Sequence, residues 1–238
     1  VENCTFNSTT ANALTIAGTF TENKPNIFRC GSGAVSLTTT VAMSGNTVYT
    51  TGAMTLSSNS TVKNLTMSGT TGLITISNNP TIFTNNYLKN TTGGISITET
   101  VFDGTTNTIL TTGALTFSCG TSCTNLISSG STCTNVSLTA PDLNSCLVIY
   151  RGTRGITATV QCRNNNFIGA AGTVTVTSPI NFNNIFSCPN DSSNMNLTST
   201  NNITQISVVN RYGTITLVTP IVQLSTFRFE QATIKHNS

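Results

Sequence analysis

The residues of this 238-residue chain best suited to covalent chemistry are its eight cysteines: Cys4, Cys30, Cys119, Cys123, Cys133, Cys146, Cys162 and Cys188. An even number fits a disulfide framework made in an oxidising compartment. Cys4 with Cys30 would close the first coil, and the other six gather in the middle of the chain. Spacing alone leaves the connectivity open. Cys119 and Cys123 are also spaced like zinc ligands. The one histidine, His236, stands in the polar tail, so a zinc site would need four thiolates. Disulfides are the preferred reading, with no metal and no cofactor expected.

Acid–base chemistry has little to work with. The carboxylates are Glu2, Glu22, Glu99, Asp103, Asp142, Asp191 and Glu230. Only Glu99 and Asp103 come close together, and Arg151 or Arg154 would have to complete a constellation with them. A polysaccharide-cleaving site needs clustered carboxylates and a cation to stabilise developing charge. No nucleophile-elbow phrase accompanies the many serines. The expectation is therefore a non-enzyme.

Nine sites fit Asn-x-Ser/Thr: Asn3, Asn7, Asn59, Asn64, Asn90, Asn135, Asn190, Asn196 and Asn202. With the cysteines they point to N-linked glycans, a eukaryotic secretory route and an extracellular or cell-surface location. Charged residues make up only 7% of the chain, against about 25% in ordinary soluble domains. Its ten Lys and Arg form no dense patch, so nucleic-acid binding is not expected. No apolar run has the length of a membrane span.

What must position these residues is a repeat. The phrase apolar–Ser/Thr–apolar recurs as Leu14-Thr15-Ile16, Val35-Ser36-Leu37, Met54-Thr55-Leu56, Ile74-Thr75-Ile76, Ile95-Ser96-Ile97 and Leu115-Thr116-Phe117. It continues as Val136-Ser137-Leu138, Ile156-Thr157-Ala158, Val174-Thr175-Val176, Met195-Asn196-Leu197, Ile215-Thr216-Leu217 and Ile234. Its period of two turns the apolar pair inward and the hydroxyl outward. One such strand cannot bury its own face, whereas stacked copies share one core. The predicted fold is all-β: a single parallel β-helix, or β-solenoid, of about twelve coils of roughly twenty residues. Residues 1–12 would form an N-terminal cap, 13–234 the coils and 235–238 a tail, all in one domain.

A second strand per coil is predicted around Val62–Met67, Ile82–Phe83, Val101–Phe102, Leu126–Ile127, Leu147–Ile149, Phe167–Ile168 and Ile185–Phe186. Gly precedes most phrases, as at Gly33, Gly52, Gly72 and Gly155, which suits a corner of positive φ. Asn46, Asn64, Asn85, Asn107, Asn125, Asn144, Asn165 and Asn184 recur at coil spacing and suggest a ladder of stacked amides. Asn64 cannot both enter that ladder and carry a sugar. Leu65 reads as inward, which turns Asn64 outward.

The pattern resembles the right-handed parallel β-helix superfamily, which includes pectate-lyase-like enzymes, autotransporter adhesins and polymorphic outer-membrane repeats. Gly93-Gly94-Ile95 and Phe83-Thr84-Asn85-Asn86 echo the phrases of the last group. The resemblance implies the right-handed winding. The outward pairs, among them Thr55-x-Ser57, Thr75-x-Ser77 and Thr157-x-Thr159, also resemble the Thr arrays of β-solenoid antifreeze proteins. Ser in place of Thr breaks the methyl lattice of an ice-binding face.

The expected function is that of an extracellular glycosylated structural protein, a self-associating subunit of a filament, coat or surface appendage. The rival is a surface adhesin or carbohydrate-binding rod. Aromatic residues exposed along one groove would mark that rival, and aromatics are only 6% of the chain.

Overall fold

The computed structural model describes residues 1–20, 24–103, 107–128, 134–150, 153–169, 172–192, 194–223 and 225–237. It is all-β, with parallel strands stacked into a solenoid of about ten turns, close to the number of coils expected. The chain divides into two compact units, Val1–Ser118 and Cys119–Ser238.

In the first unit each complete coil contributes three strands rather than two. The main strands Leu14–Ala17, Val35–Thr39, Met54–Ser58, Ile74–Ser77 and Ile95–Asp103 carry the recurring phrase. They stack in register, Leu14 on Val35, Met54, Ile74 and Ile95 in turn. A second row holds Thr5–Ser8, Ile27–Cys30, Thr47–Thr50, Thr66–Gly69, Tyr87–Asn90 and Thr108–Thr111. A short third row holds Met43–Ser44, Thr61–Lys63 and Ile82–Thr84. The segment Val62–Met67, read above as one strand, is thus two strands with a corner at Asn64.

Alternation does the packing. Val35, Leu37, Met54, Leu56, Ile74, Ile76, Ile95 and Ile97 are all buried, and each such side chain contributes roughly 1.5–3 kcal/mol. Regular structure begins at Thr5, which pairs with Ile27. The segment expected as an N-terminal cap therefore already carries strand.

The second unit repeats the plan with longer runs. Ser207–Val218 carries a second-row strand and a main strand without a break, and Thr226–Asn237 pairs along it in register. Ile234 lies on Ile215, as the phrase predicts, and the strand continues into the expected tail as far as Asn237. Phe167 and Phe186 stack in the core, ring centroids 5.3 Å apart.

One phrase is displaced. Ile156 pairs with Leu138 and Val176, so Arg154, not Ile156, holds the register of Val136 and Val174. The strand has slipped by two residues. Because side chains alternate with period two, this slip leaves the inward and outward faces unchanged. Its consequence is that Gly155 occupies the first outward file beside Ser137 and Thr175, and Thr157 occupies the second.

The positive φ expected of the glycine before the phrase is found at Gly172 and Gly213, and other phrase glycines serve a different purpose. Among the described residues, positive φ at glycine is confined to Gly18, Gly45, Gly172 and Gly213. Gly33, Gly52 and Gly72 are instead sites of close approach: a Cβ on Gly72 would lie 2.2 Å from the Gly52 carbonyl carbon. Positive φ falls mainly to Asn64, Asn85, Asn125, Asn164 and Asn183 at the second-row corner, where Asn tolerates the left-handed conformation.

Candidate functional site

The corner explains the recurring asparagines by sorting them into two places. After each left-handed residue comes a buried position held in the first unit by Asn46, Leu65 and Asn86, with Asn26 and Asn107 in the same file. In the second unit it is held by Leu126, Cys146, Asn165, Asn184 and Ile206. Each Asn oxygen accepts the backbone N–H of the coil before it. Asn46 Oδ1 takes Asn26 N–H at 3.2 Å, Asn86 takes Leu65 N–H at 2.9 Å and Asn107 takes Asn86 N–H at 3.0 Å.

The predicted ladder therefore includes Asn46, Asn107, Asn165 and Asn184. It excludes Asn64, Asn85 and Asn125, which are the left-handed residues. Asn64 is exposed, as expected from its inward neighbour Leu65. Asn144 belongs to an outer amide row, receiving Asn164 Nδ2 at 3.0 Å while Asn164 receives Asn183 Nδ2 at 2.9 Å. Asn26 and Asn86 were not anticipated. Both stand one residue before a second-row strand, which is the signal that would have found them.

The six cysteines whose side chains are described are thiols. No disulfide joins Cys4, Cys30, Cys119, Cys123, Cys146 or Cys162. Cys133 and the side chain of Cys188 lie outside the described residues. The expected Cys4–Cys30 closure is not made: Cys4 Sγ donates to the Glu2 carbonyl at 3.1 Å, and Cys30 Sγ donates to the Asn12 carbonyl at 3.3 Å. Cys30 shares a function with Thr50, Asn90 and Thr111, whose side chains donate to turn carbonyls at Gly33, Gly72 and Gly93. Its thiol replaces a turn hydroxyl. In the second unit Cys119, Cys123, Cys146 and Cys162 are all buried. Burial pushes the Cys162 thiol up to about 12.

Of the expected acidic constellation, the structure describes the side chain of Glu99 alone. Glu99 is buried. Arg151 and the side chains of Asp103 and Arg154 lie outside the described residues. Asp142 instead pairs with Arg163 at 3.1 Å, and Glu230 with Arg211 at 2.8 Å. His236 sits on the Thr219 carbonyl at 2.9 Å. Among the described residues no group of three or more His, Cys, Asp or Glu is placed to hold a metal ion. Among the described residues no helix is long and apolar enough to cross a membrane.

The sequons differ in access. Asn3, Asn7, Asn59, Asn64 and Asn135 are exposed, Asn196 and Asn202 are half-buried, and the side chain of Asn190 lies outside the described residues. Asn90 is 1% exposed. Its Nδ2 donates to Gly72 O at 2.6 Å and Gly94 O at 2.9 Å. That nitrogen is the atom a glycan would occupy, so Asn90 leaves the set of sites compatible with the fold.

One surface groove gathers groups suited to a ligand. The outward positions of the second row in the first unit place Arg29, Tyr49, Ser68 and Lys89 in successive register. Tyr87 stands in the neighbouring file beside Thr66 and Thr108. Neither file contains a carboxylate. Tyr49 is 41% exposed, and the Arg29 guanidinium lies 5.8 Å from its ring centroid. The open groove there has a volume of about 350 Å³ and is lined by Arg29, Cys30, Gly31, Tyr49, Thr50, Thr51 and Ser68. A stacked tyrosine and guanidinium present a flat apolar face edged with hydrogen-bond donors.

No family model, no curated protein and no solved structure matches this chain.

Proposed function

We propose that the protein is an extracellular structural β-solenoid, glycosylated in the secretory route, that serves as a repeating subunit of a filament, coat or surface appendage. The observation that carries this reading is the direction of the amide ladder. Where this place holds Asn, a coil offers the coil before it the same kind of acceptor that it takes from the coil after it, as Asn46 does for Asn26 and Asn184 for Asn165. A contact of this head-to-tail kind propagates without closing. The outward Ser, Thr and Asn side chains supply solvation without charge, and glycans would extend it. Sedimentation velocity of the purified glycosylated chain tests the reading. Species that lengthen with concentration and reach no fixed stoichiometry are expected. A single species of constant size at all concentrations would contradict it.

A second reading, a surface adhesin that binds carbohydrate, is favoured by the Arg29–Tyr49 groove. A sugar ring would lie on Tyr49, with its hydroxyls toward Arg29, Thr51 and Ser68. The cations Arg29 and Lys89 suit an anionic saccharide. Binding to an array of neutral and anionic glycans that is lost in Tyr49→Ala and in Arg29→Ala supports it. Equal binding by the variants removes it.

A further inference from the structure

The second row of the first unit brings a sequon to the Arg29–Tyr49 groove. Asn7 lies in Thr5–Ser8, is exposed, and pairs in register with Arg29. Arg29 pairs in turn with Tyr49. The three residues thus stand in one file on three successive coils. Their direction is set by the residues beside them. Phe6 stacks on Phe28, ring centroids 5.2 Å apart, and Phe28 and Val48 are buried. Period-two alternation then turns Asn7, Arg29 and Tyr49 outward on the same side. Asn90, a sequon in the same row, takes the inward position and is buried.

Distance and chemistry suit the start of an N-glycan. Two strand spacings of about 4.8 Å put the Tyr49 strand about 10 Å from that of Asn7. An N-glycan core begins with two β-linked N-acetylglucosamines, and two such rings leaving Asn7 Nδ2 along the file reach Tyr49. Each ring has an apolar C–H face and a rim of hydroxyl and acetamido groups. Tyr49, 41% exposed, offers a flat apolar face to such a ring. The Arg29 guanidinium, 5.8 Å from the Tyr49 ring centroid, lies on the way with N–H donors for the sugar oxygens. Thr51 and Ser68 line the same groove with hydroxyls.

We propose that the N-glycan carried by Asn7 runs along this file and seats in the Arg29–Tyr49 groove, its second ring on Tyr49, closing the groove to saccharides from outside. Occupancy of Asn7 follows from the reading of the chain as glycosylated in the secretory route, on which this proposal rests. The glycan thereby regulates the site that the adhesin reading leaves open. Attachment decides the competition between the two occupants. A group tethered beside its site acts at an effective concentration on the order of millimolar. A free saccharide making the same contacts must exceed that level to displace it. Removing the sequon, or trimming the glycan to its first ring, uncovers Tyr49.

The full chain is secreted from eukaryotic cells and nitrated in the folded state with tetranitromethane, beside a Thr9→Ala variant that lacks this sequon. Peptide mass spectrometry then reads two quantities. One is occupancy of Asn7, seen as Asn7→Asp conversion when the denatured chain is enzymatically deglycosylated. The other is nitration of Tyr49 relative to Tyr212 in the second unit. Asn7 should be occupied, and Tyr49 should nitrate several-fold faster in Thr9→Ala than in the glycosylated chain, with Tyr212 unchanged. The parent chain trimmed by an endoglycosidase to one N-acetylglucosamine should match Thr9→Ala without any substitution. Equal nitration of Tyr49 in all three, with Asn7 occupied, would overturn the docking and leave the glycosylation reading standing. Unconverted Asn7 in the secreted chain would remove the glycan at this site and the proposal with it. Tyr49 protection that appears in the glycosylated chain only when free saccharide is added would assign the groove to an outside ligand and overturn the proposal.

Discussion

The side-chain oxygen of Asn184 is shared by the backbone N–H and the side-chain amide of Asn165, at 2.8 and 3.0 Å. Asn165 in turn accepts the Cys146 N–H and donates to the Leu143 carbonyl at 3.0 Å. One buried amide thereby satisfies backbone groups of another coil, which water cannot reach. Leaving two such groups unpaired costs about 2–4 kcal/mol. Asn165→Ala should lower unfolding free energy by that amount in urea titrations. Asn165→Leu should cost less, because Leu65, Leu126 and Ile206 already fill this place with apolar volume. Equal losses in both variants would mean that the lost hydrogen bonds, with no contribution from packing, set the cost.

Coil spacing predicts a contrast between two glycines. A Cβ at Gly72 would fall 2.2 Å from the backbone of the preceding coil, whereas at Gly155 it would meet nothing within 4 Å. Gly72→Ala must push two backbones apart and should cost over about 2 kcal/mol. Gly155→Ala should change stability by less than about 0.5 kcal/mol. Thermal melts followed at a β-sheet circular dichroism band distinguish the two variants.

The raised Cys162 thiol gives stability a defined pH dependence. Its folded value of about 12 lies above the ordinary value of 9.0, so the folded state holds this proton more tightly than the unfolded state. The stabilisation is complete below pH 9 and is lost as pH rises toward 12. The slope is about 1.4 kcal/mol per pH unit, and the total approaches about 4 kcal/mol. Urea titrations between pH 8 and the alkaline limit should show this decline in the parent protein and a shallower one in Cys162→Ala. Parallel curves would place the titration elsewhere.

Glycan placement supplies a further check. Expression through a eukaryotic secretory route, followed by enzymatic deglycosylation that converts occupied Asn to Asp, should mark exposed sites such as Asn59 and Asn64. Asn90 should remain unmodified, because its amide nitrogen is committed to Gly72 and Gly94. An Asp at position 90 in the mapped peptides would show that this turn opens.

How far the sequence announces these features depends on their period. The two-residue alternation is written in phrases such as Ile74-Thr75-Ile76, and it determines strands, faces and core. The same alternation is blind to a slip of two, so the register of Arg154 with Val136 could not be read from it. Asn64 and Asn86 look alike as letters. Only the left-handed corner at Asn64 and Asn85 separates the exposed residue from the buried one. Cysteine identity misled in a similar way. Cys30 does the turn-bonding of Thr50, and a thiol in that place has no need of a partner thiol. The Arg29–Tyr49 groove was invisible because its members lie a coil apart in sequence and meet only through stacking.

The central claim, a self-propagating structural solenoid, is tested most directly by cryo-electron microscopy of the native material. The account predicts this protein as a regularly repeating subunit of a filament, coat or appendage, its coils visible as layers about 4.8 Å apart. Isolated particles of one chain each, at native concentration and with no repeating contact, would contradict it.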